Sequence, residues 1–275
     1  MIPAMNEAEN LPHVLATLPA DTYELVLVDG HSIDGTSTVA REHYPTVRIV
    51  GQSGRGKGDA LRAGFAACSG DVIVMMDADG STDGAEIERF VAALVDGADY
   101  AKGSRFMAGG GSEDITLLRT AGNLFFCWLV NRLYKTSYTD LCYGYNAFWR
   151  SALPTIAPDC AGFEVETVLN VRAAKAGLRV AEVPSFEASR ISGTTNLRTV
   201  RDGFRVLKAI TSEWTAEHVV RAPRHGDALR AERRNLRPTR VPPWYHRSTA
   251  VVHHPELSEL SELAEPAPLI RSVMR

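Results

Sequence analysis

Asp77 and Asp79 stand two positions apart where the apolar run Val72-Ile73-Val74-Met75-Met76 ends, and Gly80-Ser81 follow them. Five apolar residues opened by Gly70-Asp71 predict a strand buried on both faces, running out into an acidic loop. Two carboxylates at i and i+2 in a loop can turn toward one point. With oxygen ligands alone they suit a hard cation, Mg²⁺ or Mn²⁺, which keeps further positions for phosphate oxygens and water. Three other patches ask for the same explanation. Asp29 ends the apolar run 25–28, where a carboxylate accepts from ribose hydroxyls or base N–H groups. Arg55-Gly56-Lys57-Gly58 brings positive charge and close backbone approach, which a diphosphate or a base edge needs. Gly103-Ser104-Arg105 sets a second cationic group just past another strand pattern. A lone Asp-x-Asp is also ordinary turn chemistry, so the company it keeps carries the argument.

A nucleotide site is the common reading of the four patches. No Gly-x-Gly-x-x-Gly lies between the first strand and helix, and no Gly-x-x-x-x-Gly-Lys-Ser/Thr occurs, which disfavours dinucleotides and P-loop chemistry. A metal bridging a diphosphate while one bond to it breaks is what a nucleotide-sugar transferase needs. At 275 residues, 45% hydrophobic and 23% charged, the chain can bury a sizeable core, and a net charge of −3 gives no reason to expect nucleic acid. Cys68, Cys127, Cys142 and Cys160 show no Cys-x-x-Cys spacing and read as reduced thiols in or near the core of a cytoplasmic protein. No signal peptide is expected. The longest strongly apolar run, 124–130, is far short of the roughly 20 residues that span a bilayer.

The elements that must position these groups alternate at short spacing. Asn6 followed by Glu9 predicts a capping box and a helix through Leu18, preceded by a strand of which only Met1 and Ile2 are present. Strands are predicted at 24–28, 47–50, 72–76, 98–103 and 178–183, and helices at 37–42, 59–68, 83–95, 163–176 and 196–214. This is an α/β pattern: a mostly parallel central sheet flanked by helices, whose strand carboxyl ends gather on one side. Asp29, Asp77 and Lys102 are expected to converge there. Residues 106–112 read as a glycine-rich loop, and 138–148 as a strand pair or a return into the site carrying Asp140. Residues 115–134 predict a helix whose apolar residues wrap widely, either a doubly buried helix or a face for lipid with Arg119, Arg132 and Lys135 at its margins. His31 and Asp34 read as turn and helix-start residues. Glu164 and Glu166 precede a helix, where either contact with sugar or acceptor or helix-start electrostatics accounts for them. Composition shifts near residue 220, so 1–220 is one domain and 221–275 an extension. That extension is arginine-rich and proline-containing, with a short helix striped by Leu257, Leu260 and Leu263 for its own chain or a second subunit.

With those residues in view, the sequence resembles the family 2 glycosyltransferases with a GT-A fold, and within them the polyprenyl-phosphate (dolichol-phosphate) mannosyl- and glucosyltransferases. The matching segments are IPAMNEAENL (2–11), LVLVDGHSIDGT (25–36), GRGKGDALRAGF (54–65), VIVMMDADGS (72–81), AKGSRF (101–106), TDLCYGYNAF (139–148), FEVETVLNVRAAKAG (163–177) and EVPSFEASRISG (182–193), in order over about residues 1–210.

The resemblance implies that Pro3, Asn6, Glu7 and Asp29 line the nucleoside pocket and that Asp77 and Asp79 hold Mg²⁺ or Mn²⁺ on the donor diphosphate, with Lys57 and Arg105 beside it. It places Asp140 facing the acceptor and Arg190 as a phosphate-binding arginine on a loop over the site. That polar loop is expected to be mobile without donor. A phosphate acceptor needs no strong base but does need cations, for which Arg190 and Arg119 are candidates; a hydroxyl acceptor would need Asp140 as base. Three departures stand out. Gly30 replaces a second aspartate after Asp29, Asn196 replaces a lysine whose charge falls to Arg198 or Arg201, and membrane helices are missing. The expected protein is an inverting hexosyltransferase with a nucleotide-sugar donor and a polyprenyl-phosphate acceptor at the inner membrane face. A hydroxyl acceptor, a sugar nucleotidyltransferase and an inactive nucleotide-binding scaffold are the alternatives. The nucleotidyltransferase would carry a glycine-rich basic first loop, where this chain has Ala4-Met5-Asn6-Glu7.

Overall fold

A computed structural model describes residues 1–195 and 197–219, which belong to one compact unit. Asn196, the arginine-rich segment 221–240 and the stripe of Leu257, Leu260 and Leu263 lie outside the described residues. In chain order the elements are β1 (Ile2–Ala4), α1 (Leu11–Ala16), β2 (Val26–Asp29), α2 (Thr36–His43), β3 (Arg48–Gly51), α3 (Lys57–Ala67), β4 (Val72–Met75), α4 (Ile87–Val95), β5 (Tyr100–Ser104) and β6 (Gly111–Ser112). There follow α5 (Leu117–Tyr134), β7 (Asn146–Trp149), α6 (Leu153–Ile156), α7 (Val165–Lys175), β8 (Val180–Pro184), β9 (Phe186–Glu187) and α8 (Thr199–Val219).

Strands β1, β2 and β3 pair in parallel, as do β5 and β8, while β7 runs antiparallel between β4 and β5. Met1 stitches the two sheets together. Its amino group donates to the Val74 carbonyl at 2.8 Å, and its own carbonyl accepts from Met76 N–H at 3.3 Å, the bonding pattern of a parallel pair. The order is therefore β3-β2-β1-β4-β7-β5-β8, with one reversed strand. Apolar side chains bury both sheet faces: Leu25, Leu27, Phe90 and Tyr145 are in one cluster, and Leu61, Ile73, Tyr100 and Phe148 in another. The carboxyl ends of β1, β2, β4 and β5 emerge on one edge, as right-handed crossovers require.

Two expectations fail here. Asn6 starts no helix; its φ is 57°, its Oδ1 accepts from Ile33 N–H and its N–H donates to Ser32 Oγ, so it braces the β2–α2 loop against the β1–α1 loop. The helix begins four residues after Glu7, with Asn10 at its cap position and Pro12 in its first turn. Lys102 does not reach the site either. It lies inside β5, fully buried, with its ammonium on the Gly103 carbonyl and 3.9 Å from Glu182.

The reading of α5 as a doubly buried helix also fails. Asn123, Cys127 and Val130 face inward, but Leu117, Leu118, Leu124, Phe125 and Trp128 are exposed, Trp128 by 62%. Helix α8 packs beside it and adds Val200 and Phe204, the latter 69% exposed. The glycine-rich loop 106–112 is pinned at its end by β6, which pairs with β9.

Candidate active site

A cavity of about 1240 Å³ opens at the carboxyl edge of the sheet and extends to the α5–α8 face. Pro3, Glu7, Lys57, Asp77, Asp79, Arg105, Arg119, Glu166, Arg190, Arg198 and Arg201 all line it. Asn6, Asp29, Asp140 and Glu164 do not.

At the centre, β4 delivers Asp77 and Asp79. Lys57, the first residue of α3, places its ammonium 2.6 Å from Asp77 and 2.7 Å from Glu166. Burial alone would lower the Lys57 pKa, but the two carboxylates outweigh it and hold the ammonium charged well above its ordinary range. Gly144 makes room for this pair. A Cβ there would stand 2.7 Å from Asp77 Oδ2 and 2.9 Å from Lys57 Nζ. Asp79 accepts from Ser81 N–H and Oγ on one oxygen and lies 3.1 Å from Arg190 on the other. Among the described residues no three His, Cys, Asp or Glu side chains gather around one point. The donor set is then two carboxylates at the cavity wall, which fits a hard cation that takes its remaining ligands from phosphate and water.

Arg190 is held between two acidic partners. Its guanidinium spans Glu7, at 3.0 Å, and Asp79. The surrounding segment is tied down by backbone bonds from Ala188 N–H to Ser81 and from Ile191 N–H to Asp79, and by side-chain bonds between Ser192 and Glu9 and from Asn10 to Ser192. Ile191 also fills the space over Gly80, where a Cβ would stand 2.3 Å from Ile191 Cδ1. The expectation rested on missing apolar content, but hydrogen bonds to distant loops do the holding. Glu7 is buried beneath this arginine, and burial raises its pKa against the opposing pull of Asn10 and Arg190.

At the β1–β3 end the wall is Pro3, Ala4, Met5, Gly30, His31 and Gln52. Asp29 is a correction. Its carboxylate turns into its own loop, accepting from Ser32 N–H and Ser37 Oγ at 2.9 Å each. Burial would raise its pKa, but these bonds outweigh it and hold the carboxyl below the ordinary value. Asp34 accepts from Thr36 and Ala8 N–H, as a helix-start residue should. His31 bonds across to the Gly54 carbonyl and not within its own turn.

At the acceptor end the correction is larger. Asp140 is fully buried and holds Arg105 in a two-pronged pair, Nε to Oδ2 at 2.7 Å and Nη2 to Oδ1 at 3.1 Å. Its carboxylate faces Arg105 and not the cavity. Arg105 gives its remaining nitrogen to Glu187 and lies over the Tyr143 ring, so it is committed to the wall and is no free phosphate clamp. Arg119 pairs with Asp114 at 3.2 Å. Glu164 accepts from Gly162 N–H, while Glu166 reaches the cavity. The cysteines are free thiols, but Cys142 is exposed at the cavity wall and not a core residue. Gln52 and Glu187 were missed in the sequence: Gln52 sits in no recognisable motif, where a polar residue just past the predicted β3 was the available signal, and Glu187 lies within the matching segment 182–193, where Arg190 drew the reading.

The fold and site define a class: an α/β enzyme that binds an anionic, nucleotide-sized ligand at the carboxyl ends of its strands beside an acidic pair. The chain belongs to Glycosyl transferase family 2, whose model matches residues 1–167. It is a nucleotide-sugar-dependent glycosyltransferase. It is 31% identical over 206 residues to glycosyltransferase AglJ of Haloferax volcanii, covering 74% of this chain and 67% of that protein. It is 32% identical over 234 residues to the polyprenol monophosphomannose synthase of Mycolicibacterium smegmatis, covering 78% and 85%. In fold it is similar to glucosyl-3-phosphoglycerate synthase from Mycobacterium tuberculosis, solved with Mn²⁺, UDP and glucosyl-3-phosphoglycerate; the TM-score is 0.62 at 22% identity, covering 78% of each chain.

Proposed function

We propose that the protein moves a hexose from a GDP-mannose or UDP-glucose type donor to a polyprenyl phosphate, with Mg²⁺ or Mn²⁺ held by Asp77 and Asp79. The observation that carries this reading is the charge pattern of the cavity. Every carboxylate that lines it is paired with a cation: Asp77 and Glu166 with Lys57, Asp79 and Glu7 with Arg190, Asp114 with Arg119, Glu187 with Arg105 and Asp202 with Arg205. Arg55, Arg198 and Arg201 line the same cavity and pair with no carboxylate among the described residues. A hydroxyl acceptor needs a free base. A phosphate acceptor is already ionised and needs cations to approach a diphosphate, which is what this cavity offers.

The apolar wall supports the same acceptor. Leu118 and Phe125 of α5 face the cavity with Val200 and Phe204 of α8, next to Arg198 and Arg201, so a phosphate and its greasy tail find neighbouring surfaces. Among the described residues no helix is long and apolar enough to cross a membrane. The lipid would be met at a membrane surface. The relative from Mycolicibacterium smegmatis carries polyprenol in its name, which favours this acceptor over a free sugar.

A bound divalent cation supplies neutralisation of the charge that develops on the leaving nucleoside diphosphate. The chain's own residues align the partners: Lys57 orients Asp77 and Glu166, and Arg190 bridges the donor end to the Glu7 wall. Direct displacement on an α-linked donor predicts a β-linked sugar phosphate. The test is a matrix of UDP-glucose and GDP-mannose against a short-chain polyprenyl phosphate, a free sugar, a peptide and small hydroxylated metabolites, each with Mn²⁺, Mg²⁺ or excess chelator. Metal-dependent transfer to the lipid phosphate is expected; transfer confined to hydroxyl acceptors, or undiminished in chelator, refutes it.

A further inference from the structure

We propose that Gln52 reads the nucleobase of the donor, accepting a ring N–H through its side-chain carbonyl and so selecting a base of the uracil or guanine type. This rests on the nucleotide-sugar reading of the cavity and adds to it the residue that sets donor choice. Gln52 follows β3 directly, and its backbone N–H bonds to the Asp29 carbonyl at 3.1 Å, which fixes where its side chain starts. Its residue is only 7% exposed, and what is exposed faces the cavity.

The orientation of the amide follows from its neighbours. Gln52 Nε2 lies 3.0 Å from the Gly54 carbonyl, and a carbonyl accepts only from a donor, so the nitrogen must be on that side. Gly54 is itself held, because its N–H donates to Asp59 at 2.7 Å and Asp59 is paired with Arg62. His31 Nε2 reaches the same carbonyl at 3.0 Å. Gln52 Oε1 is therefore presented by a fixed frame. Among the described residues no donor reaches it.

What stands around that oxygen suits a planar ring. Pro3, Ala4 and Met5 on the β1 side and Gly30 beyond β2 form the adjoining wall, all without charge. Gly30 keeps the approach open. A Cβ there would stand 3.3 Å from Gln52 Oε1, 3.1 Å from Met5 Cβ and 3.2 Å from the Ala4 carbonyl, so any side chain would crowd the acceptor. A fixed, nearly buried acceptor discriminates strongly, since a base without a matching donor leaves it unpaired. Uracil at N3 and guanine at N1 carry the ring hydrogen. Cytosine and adenine carry a lone pair at the corresponding position, which would face Oε1 acceptor to acceptor.

The test is calorimetric titration of the full chain with UDP, GDP, CDP and ADP in the presence of Mn²⁺, for wild type, Gln52→Met and Gln52→Ala. Met fills the same volume without a donor or acceptor, so it keeps the packing while removing the contact. Wild type is expected to bind UDP or GDP about tenfold or more tighter than CDP and ADP. Both variants should bring that ratio close to one, mainly by weakening the preferred nucleotide, and raise its donor KM with little change in kcat. Which of UDP and GDP is preferred distinguishes the two bases. An unchanged ratio in Gln52→Met, with melting close to wild type, overturns the assignment while leaving the donor reading intact. Failure of wild type to bind any of the four overturns both.

Discussion

At the scale of single residues, Asp140 spends both its oxygens on Arg105, behind the cavity wall. Burial would raise its pKa, but Lys102 and Arg105 outweigh that and hold the carboxyl below the usual aspartate value of 3.8. Because the folded value is the lower one, Asp140 stabilises the protein above the unfolded value, and that contribution is lost as pH falls through the folded one. Breaking a buried pair by removing one partner costs about 3–5 kcal/mol, because the other charge is left uncompensated. Asp140→Asn should therefore lower unfolding stability by an amount of that order at neutral pH, and lose less than wild type on acidification. Urea unfolding at pH 7 and at a pH well below 3.8 checks both. Stability close to wild type at neutral pH, together with a lost turnover, would restore Asp140 as a reacting group.

At the scale of elements, much was legible because it depends on local pattern. The runs at 25–28 and 72–76 gave β2 and β4, and the carboxylates at the end of β4 are where strand chemistry put them. What was not legible is what distant segments do to polar ones. Asn6 leaves the helix pattern because Ser32 and Ile33 capture it, and the Arg190 loop is fixed by Glu7, Asn10 and Asp79, all more than 100 residues away. Helix α5 illustrates the middle case. Its excess of apolar residues was visible, but which of them stay exposed depends on the faces that α7 and α8 cover. Phe125→Ser and Phe204→Ser alter exposed side chains, so each should change stability by no more than about 0.5 kcal/mol. The same changes should raise KM for a long-chain polyprenyl phosphate while leaving donor KM unchanged, measured by initial rates against acceptors of increasing chain length. Equal KM values for short and long acceptors, in wild type and variants alike, would remove α5 and α8 from the acceptor path.

At the scale of the whole molecule, the proposed donor site straddles the seam between β1–β3 and the sheet that begins at β4. Asp77 and Asp79 come from one side, the Gln52 wall from the other, and Arg190 bridges from Asp79 to Glu7. Lys57 and Arg190 neutralise the two aspartates, so neither carboxylate is left bare. A divalent cation alone meets only two protein ligands that are already partnered, and a nucleoside diphosphate alone brings negative charge toward them. Each should therefore bind weakly without the other. Together they complete one another's charge and coordination, and whatever binds the folded state alone stabilises it by mass action, about 2.7 kcal/mol at a ligand concentration 100 times Kd. For a folded unit of this size each kcal/mol raises Tm by about 2–4 °C, so Mn²⁺ with the preferred nucleotide should raise it by about 5–10 °C. Metal alone, nucleotide in excess chelator, and the pair added to Asp77→Asn should each give a small fraction of that shift. Thermal melting under these four conditions decides the matter: an equal shift from nucleotide in chelator would show that the aspartates hold no metal and that the cavity's arginines bind the diphosphate unaided.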